Sequence, residues 1–508
     1  MVTEARRVTP SLIRGLGQLD ATMMVVGVLI GSGIFIVSAE SSRLVGAPGW
    51  LLVVWVLAGL MTITGSQCCA ELAAMMPHAG GQYVFLREAY GPGVAFAFGW
   101  AFFLIIQTGK IAAVATAFAS FTGVLIEWVA PGNFLVKPII FGRYVVSLST
   151  QQLVAILSIV VLTTANTRGL TAGKLIQNTL GFIKTGALVG LIILGLSLGW
   201  NLRSAAFTAS WWNSWMNGWT PRQARPDIGV VDGLGLVALL GLAMVGPLFS
   251  QSGWNNVTFT GGEVHQPERN LPAALFKGTV LVVSLFLLAN LAYVVTLPLG
   301  GIQHAAQDRV GTAMMEAIIG APGAVLMAAA VMISTLGTIN GIILGGARVS
   351  YAMARDRLFF AGVGSVNARR VPAVALMMQC VWASLLTLPR TATIDAVTGA
   401  ATYGNVYTQL LEYAIPVDLV FYGLMTGAVI VLRRKAPDAE RPYRTIGYPV
   451  TPLIYICVAT LLILDLAYLA PATSGIGYLL ALSSIPVYLI WHGRPDRRVA
   501  LEEVRERP

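Results

Sequence analysis

Long apolar runs alternate with short polar segments along the whole chain, and the length of the runs decides what they are. A bilayer-spanning helix takes about 20 apolar residues. Runs of that order fall near 19–43, 49–76, 93–124, 150–167, 172–199, 232–263, 273–298, 322–350, 372–389, 404–432, 449–469 and 474–491. The pattern predicts an all-α membrane protein of twelve transmembrane helices, with the lipid bilayer as its solvent.

Composition narrows the class. Of 508 residues, 56% are hydrophobic, against 33 Lys+Arg and 23 Asp+Glu, which excludes a soluble enzyme, a disordered chain and a disulfide scaffold. Cys68, Cys69, Cys380 and Cys457 all lie in apolar runs, as small buried thiols do. His78, His265, His304 and His492 are scattered without the spacing of a metal or catalytic set, so neither metal nor cofactor is called for.

A net charge of +10 would suggest nucleic acid in a soluble protein, but here the placement of the charges matters more than their sum. With a cytoplasmic N-terminus, 23 of the 33 basic residues fall on inner segments and eight on outer loops, leaving Lys110 and Lys184 within the membrane. Both termini are therefore expected in the cytoplasm, in a plasma membrane of bacterial inner-membrane type. The first apolar stretch lacks a small-residue cleavage site and reads as a retained helix rather than a signal peptide. The segment around Trp200, Trp211, Trp212, Trp215 and Trp219 reads as an interfacial aromatic belt, with a lid over an outer entrance as the alternative.

Two spans carry interruptions at matching depth. The first reads Gly27-Val28-Leu29-Ile30-Gly31-Ser32-Gly33-Ile34-Phe35, and two glycines astride a serine weaken a helix there. The sixth reads Gly246-Pro247-Leu248-Phe249-Ser250-Gln251-Ser252-Gly253-Trp254. Freed backbone groups are tolerable in hydrocarbon only beside a cavity or ligand. Close packing of small residues is the competing explanation for either segment alone. Breaks in the first helix of each five-helix half point to inverted repeats around a midplane site. The organisation is then 1–18, a cytoplasmic segment; 19–200, helices 1 to 5; 201–231, the outer Trp-rich loop; 232–435, helices 6 to 10; 436–492, helices 11 and 12; and 493–508, a basic tail. Exposed N–H groups at such a break favour an anion and unwound carbonyls a cation, so an α-amino acid is the natural substrate.

At these residues the chain resembles a family. Gly31-Ser32-Gly33-Ile34-Phe35 looks like the first-helix signature of permeases of the amino acid, polyamine and organocation superfamily. Leu248 to Asn255, continued by Glu263 and Pro267-Glu268-Arg269-Asn270-Leu271-Pro272, is similar to the L-type amino acid transporters and their bacterial relatives, as is the Arg433 to Arg444 segment. The resemblance implies that Gly31, Ser32 and Gly33 bind substrate carboxylate through backbone N–H groups, with Ile30, Gln251, Ser252 and Gly253 as further substrate contacts. It implies that carbonyls near Phe249 and Ser250 receive the ammonium, that Phe249 closes over it as an outer gate, and that Asn255 steadies an unwound segment running through Ser252 and Gly253. Lys184 matches a fifth-helix lysine whose ammonium stands where sodium sits in sodium-coupled relatives, implying sodium-independent transport. Read physically, a mid-span lysine needs a partner, and the carbonyls of a broken first helix would supply one.

Departures from the family leave questions open. Lys110, in the third span, and Asp418, in the tenth, stand where relatives carry uncharged residues. Lys110 is expected to pair with Asp418 or Glu412, to meet an acidic substrate side chain, or to reach a water-filled vestibule. Gln251 replaces an aromatic residue, so a preference for large side chains does not carry over. The loop 128–149 has no cysteine, whereas animal L-type transporters use one there to link an ancillary glycoprotein, so no disulfide-linked ancillary subunit is expected. The reading is a secondary transporter, not an enzyme, for small or medium neutral amino acids, working as an exchanger or proton symporter. A carrier of charged amino acids or amines of the same fold is one alternative. A sensor or pore using the same pocket is another.

Overall fold

The structure, a computed structural model, describes residues 15–141, 144–200, 210–220, 235–394, 401–403 and 406–492. The basic tail and most of the N-terminal and Trp-rich segments lie outside these residues. Helices dominate: α1 (Gln18–Leu29), α2 (Gly33–Ile36), α3 (Ser38–Val45), α4 (Pro48–Met75), α5 (Gln82–Tyr90), α6 (Pro92–Ala101), α7 (Gln107–Leu125), α8 (Thr150–Thr167), α9 (Leu170–Ser197), α10 (Gly235–Ala243), α11 (Val245–Ser250) and α12 (Asn256–Phe259). They continue as α13 (Pro267–Thr296), α14 (Leu299–Gln303), α15 (Val310–Ile319), α16 (Ala321–Arg355), α17 (Ala373–Leu386), α18 (Val406–Lys435), α19 (Val450–Leu469), α20 (Pro471–Leu482) and α21 (Ser484–His492).

Among the described residues, ten helical stretches are long and apolar enough to cross a membrane, and shorter apolar helices occupy 236–250, 310–319 and 373–386. The chain is a multi-pass membrane protein. Burial ranks the spans: 83% of the apolar window of 18–36 is buried against protein but only 17% of that of 473–491, so the first span is central and the last faces lipid. Helix α4 packs along α13, α1 along α13 and α9, and α16 along α7. Proline at the first turn of α4, α6, α13 and α16 starts these helices where its missing N–H has no partner to lose.

One feature departs from the all-helical expectation. Strands β1 (Phe134–Phe141), β2 (Tyr144–Ser149), β3 (Pro389–Ile394) and β4 (Ala401–Tyr403) form an antiparallel sheet in that order, pairing Ile140 with Val145, Val145 with Arg390, and Ile394 with Ala401. It joins the segment after α7 to the segment after α17. Its signal is weak in sequence because β1 turns Leu135, Val136, Ile139, Ile140 and Phe141 outward without an apolar/polar alternation.

The two ends of the bundle differ. At the Trp-rich end, Trp212 and Trp215 are exposed as a belt would be, but Trp219 is buried and donates from its indole to the Arg43 carbonyl at 2.9 Å. At the basic end, buried Glu263 and Arg348 pair at 3.2 Å, and Arg87 pairs with Asp356. Tyr83 donates to the same Asp356 carboxylate at 2.8 Å, and burial followed by that charge pushes its hydroxyl well above the usual range. Gly15 and Leu16 donate to the Glu263 carbonyl, and His265 returns a bond to Leu16, so a short main-chain ladder shuts this end between α1 and α13. Glu71, buried within α4, takes a two-pronged contact from Arg433 at 2.8 Å and an N–H from Thr445 at 2.7 Å.

Candidate functional site

Both interruptions are real. Helix α1 ends where Ile30 leaves helical geometry at ψ 84°, and the chain resumes as α2 after Ser32. The second span breaks between α11 and α12, where Gly253 takes φ 91°, a conformation that L side chains rarely adopt. The N–H groups of Ser32, Gly33 and Ile34 have no hydrogen-bond partner among the described residues. Across from them the Ser250 carbonyl accepts none either, whereas the Phe249 carbonyl is already used by the Ser252 N–H at 3.0 Å and its hydroxyl at 2.8 Å.

The two breaks touch. A Cβ on Gly33 would collide with Ser250, and one on Gly253 would press into Val28. Between them lies a small cavity walled by Gly31, Ser32, Gly33, Phe249, Ser250, Ser252, Gly253 and Lys110. Unpaired donors on one wall and an unpaired carbonyl on the other suit a zwitterion, because bare peptide groups in an apolar interior are otherwise costly. A second cavity opens toward the Trp-rich end and is lined by Glu40, Asp308, Tyr407 and Glu412 among others. The Phe249 and Tyr407 rings, edge to face at 5.8 Å, stand between the two, and Ser32 donates to the Tyr407 hydroxyl at 3.3 Å.

Lys184, 1% exposed, reaches the α1 break from α9. Its ammonium donates to the Gly27 carbonyl and lies 3.0 Å from Thr338 Oγ1 and 3.4 Å from the Ser334 carbonyl. Thr338 and Ser334 in turn hold the Ile30 carbonyl at 2.9 and 3.1 Å. The carbonyls orphaned at the end of α1 are thus held by α9 and α16. Ile30, expected among the substrate contacts, has its carbonyl committed to the protein.

Lys110 follows a π-helical segment, Phe102–Ile106, whose wide turn shifts the phase of α7 against α6. Its ammonium sits 2.6 Å from Asp418 Oδ2, with both side chains buried. Glu412 does not join them. Six residues separate it from Asp418, which on a helix of 3.6 residues per turn puts the two on different faces, and it lines the second, outer cavity instead. Gln251 lines not the cavity between the breaks but a third one, shared with Asp418 and Tyr422. Asn255 donates to Gln82 Oε1 at 2.6 Å and accepts from the Tyr422 hydroxyl at 3.1 Å, while that hydroxyl accepts from the Gly253 N–H at 3.2 Å. Tyr422, Gln82, Ser334 and Thr338 escaped sequence reasoning. Ser334 and Thr338, polar and four residues apart within an apolar span, were the one signal that could have found a pair of them.

Among the described residues no group of His, Cys, Asp and Glu could hold a metal ion. Two broken helices facing each other across a buried polar cavity define a membrane carrier for a small solute. A sequence profile described as amino acid permease matches residues 16–491, and the chain belongs to that family of amino acid transporters. It is 28% identical to the large neutral amino acids transporter small subunit 2 of Mus musculus over 96% of this chain and 83% of that one. It is 26% identical to the serine/threonine exchanger SteT of Bacillus subtilis (strain 168), over 94% of this chain and 96% of that one. Likewise it is 26% identical to the b(0,+)-type amino acid transporter 1 of Homo sapiens, over 90% and 83%.

Proposed function

We propose that the chain carries small or medium neutral amino acids across the plasma membrane by alternating access, without sodium, and as an exchanger. The observation that carries this reading is the cavity between the breaks, lined by Ser32 and Gly33, whose N–H groups are unbonded among the described residues, and by Ser250, whose carbonyl is likewise unbonded. The α-carboxylate takes the former and the α-ammonium the latter, and closing over both lowers the energy of an occluded state. Lys184 reaches the Gly27 carbonyl beside the α1 break, which favours operation without a bound sodium ion. The printed functions of the relatives, large neutral amino acid transport and serine/threonine exchange, agree with a neutral substrate.

The finer architecture belongs to the same proposal. Twelve spans form two inverted five-helix repeats, 19–200 and 232–435, followed by two peripheral helices. The basic end, with Arg87, Arg348 and Arg433, faces the cytoplasm together with both termini, and the Trp-rich end faces outward. The Phe249–Tyr407 pair is the thin gate on the outer side. The Glu263–Arg348 pair and the Leu16 ladder are the thick one inside. The chain works without a disulfide-linked partner: Cys68, Cys69 and Cys380 are buried, and Cys457 points out from a span.

Uptake of twenty radiolabelled amino acids into proteoliposomes, with and without internal amino acid, tests the reading. Saturable uptake that needs internal substrate, and is equal in sodium and choline, is expected. Accumulation driven by an acidic exterior with empty vesicles would replace exchange by proton symport. Equilibration that never saturates would replace the carrier by a pore.

A further inference from the structure

The third cavity lies on the far side of the α11–α12 break, between α4, α18 and α19, and Ser252 borders both it and the cavity that takes the zwitterion. The Lys110–Asp418 pair forms the partition: Lys110 lines the near cavity and Asp418 the far one. Gln251, 1% exposed, points into the far cavity with neither its Nε2 nor its Oε1 hydrogen-bonded. Buried amide groups are almost always partnered, so one bare at both ends beside a cavity marks a place where a partner arrives.

We propose that the far cavity receives the substrate's side chain, that it selects neutral polar side chains ending in a carboxamide or hydroxyl, and that Gln251 is the specificity-determining residue. The inference rests on the transport reading above and deepens it. A zwitterion held by Gly33 and Ser250 directs its side chain past Ser252 toward the partition. There it meets a group with both donors and an acceptor to satisfy, which a carboxamide or hydroxyl can do and an aliphatic chain cannot. A site built to hydrogen-bond its substrate rejects the analogue lacking that group, because its own polar atoms are left bare. Charge is excluded for a different reason. Lys110 and Asp418 already neutralise each other, so a carboxylate or ammonium entering beside them would bring an unbalanced charge into the membrane interior.

The experiment compares initial uptake of L-glutamine, L-threonine, L-leucine and L-glutamate into one preparation of proteoliposomes loaded with all four unlabelled. For the native chain, glutamine and threonine are expected to exceed leucine and glutamate by roughly tenfold or more. Gln251→Met, close in shape but unable to hydrogen-bond through its end, is expected to lower the glutamine-to-leucine ratio about tenfold, while Gln251→Asn keeps the preference. Ratios within one preparation are insensitive to how much variant folds. Native uptake of leucine as fast as glutamine and threonine, or an unchanged ratio in Gln251→Met, overturns the inference and leaves amino acid transport standing. A native chain that exchanges none of the four overturns both.

Discussion

The ammonium of Lys184 and the hydroxyl of Thr338 lie 3.0 Å apart, and both converge on the carbonyl end of α1, which the ammonium reaches at Gly27. Two helices thus close the end of a third that its own backbone cannot finish. A charged hydrogen bond of this kind is worth about 1.5 to 3 kcal/mol, and its loss leaves the Gly27 carbonyl with the Thr338 hydroxyl, 3.2 Å away, as its remaining partner. Lys184→Ala is therefore expected to reduce amino acid uptake by roughly 10- to 100-fold while the purified protein remains monodisperse. Near-normal uptake in proteoliposomes would remove Lys184 from the mechanism.

Gly33 and Ser250 bring the two breaks into contact with no room for a methyl group. Gly33→Ala forces them apart and is expected to abolish uptake. Because the obstruction is the Ser250 side chain and its backbone, Gly33→Ala/Ser250→Gly should regain a measurable part of the lost rate. A single variant as active as the native chain would show that the contact is not needed.

Tyr422 ties Gly253 to Asn255 through one hydroxyl. Tyr422→Phe deletes both hydrogen bonds, each worth about 1 kcal/mol, and leaves the ring in place. Roughly 30-fold weaker substrate affinity with little change in thermal stability is expected, because the loss falls on a segment that closes around substrate. Measuring KM and melting temperature on the same preparation separates this outcome from general destabilisation.

At the basic end, Glu263→Gln removes the charge that holds Arg348. Loss of such a buried contact weakens closure by about 1.5 to 3 kcal/mol and shifts the population toward opening at this end by roughly tenfold or more. Labelling rates of a cysteine at position 79, in a background without native cysteines, should rise accordingly with a membrane-impermeant maleimide applied to this side. An unchanged rate would mean that the main-chain ladder at Leu16 closes the end alone.

How far the sequence reached follows from which interactions are local. The breaks were legible because glycine, serine and proline act on their own backbone, and Lys184 was legible because a lone ammonium in an apolar span demands carbonyls. Lys110 announced its need in the same way, and of its two candidate partners only Asp418 has the right helical phase. Which cavity Gln251 lines was not legible, because it depends on how α4, α18 and α19 pack around the break. Tyr422 and Thr338 look like ordinary span residues until neighbouring helices fix their rotation. The sheet was hidden because β2 and β3 lie some 240 residues apart and neither declares its partner.

That sheet ties together helix ends that are far apart in the chain. β2 is zipped to β1 on one edge and to β3 on the other, so the ends of α7, α8 and α17 are buckled into a single collar at the rim. Sliding any of these three against the others would break a ladder of main-chain hydrogen bonds, so in the proposed transport cycle the swinging parts are those hung on this frame rather than built into it.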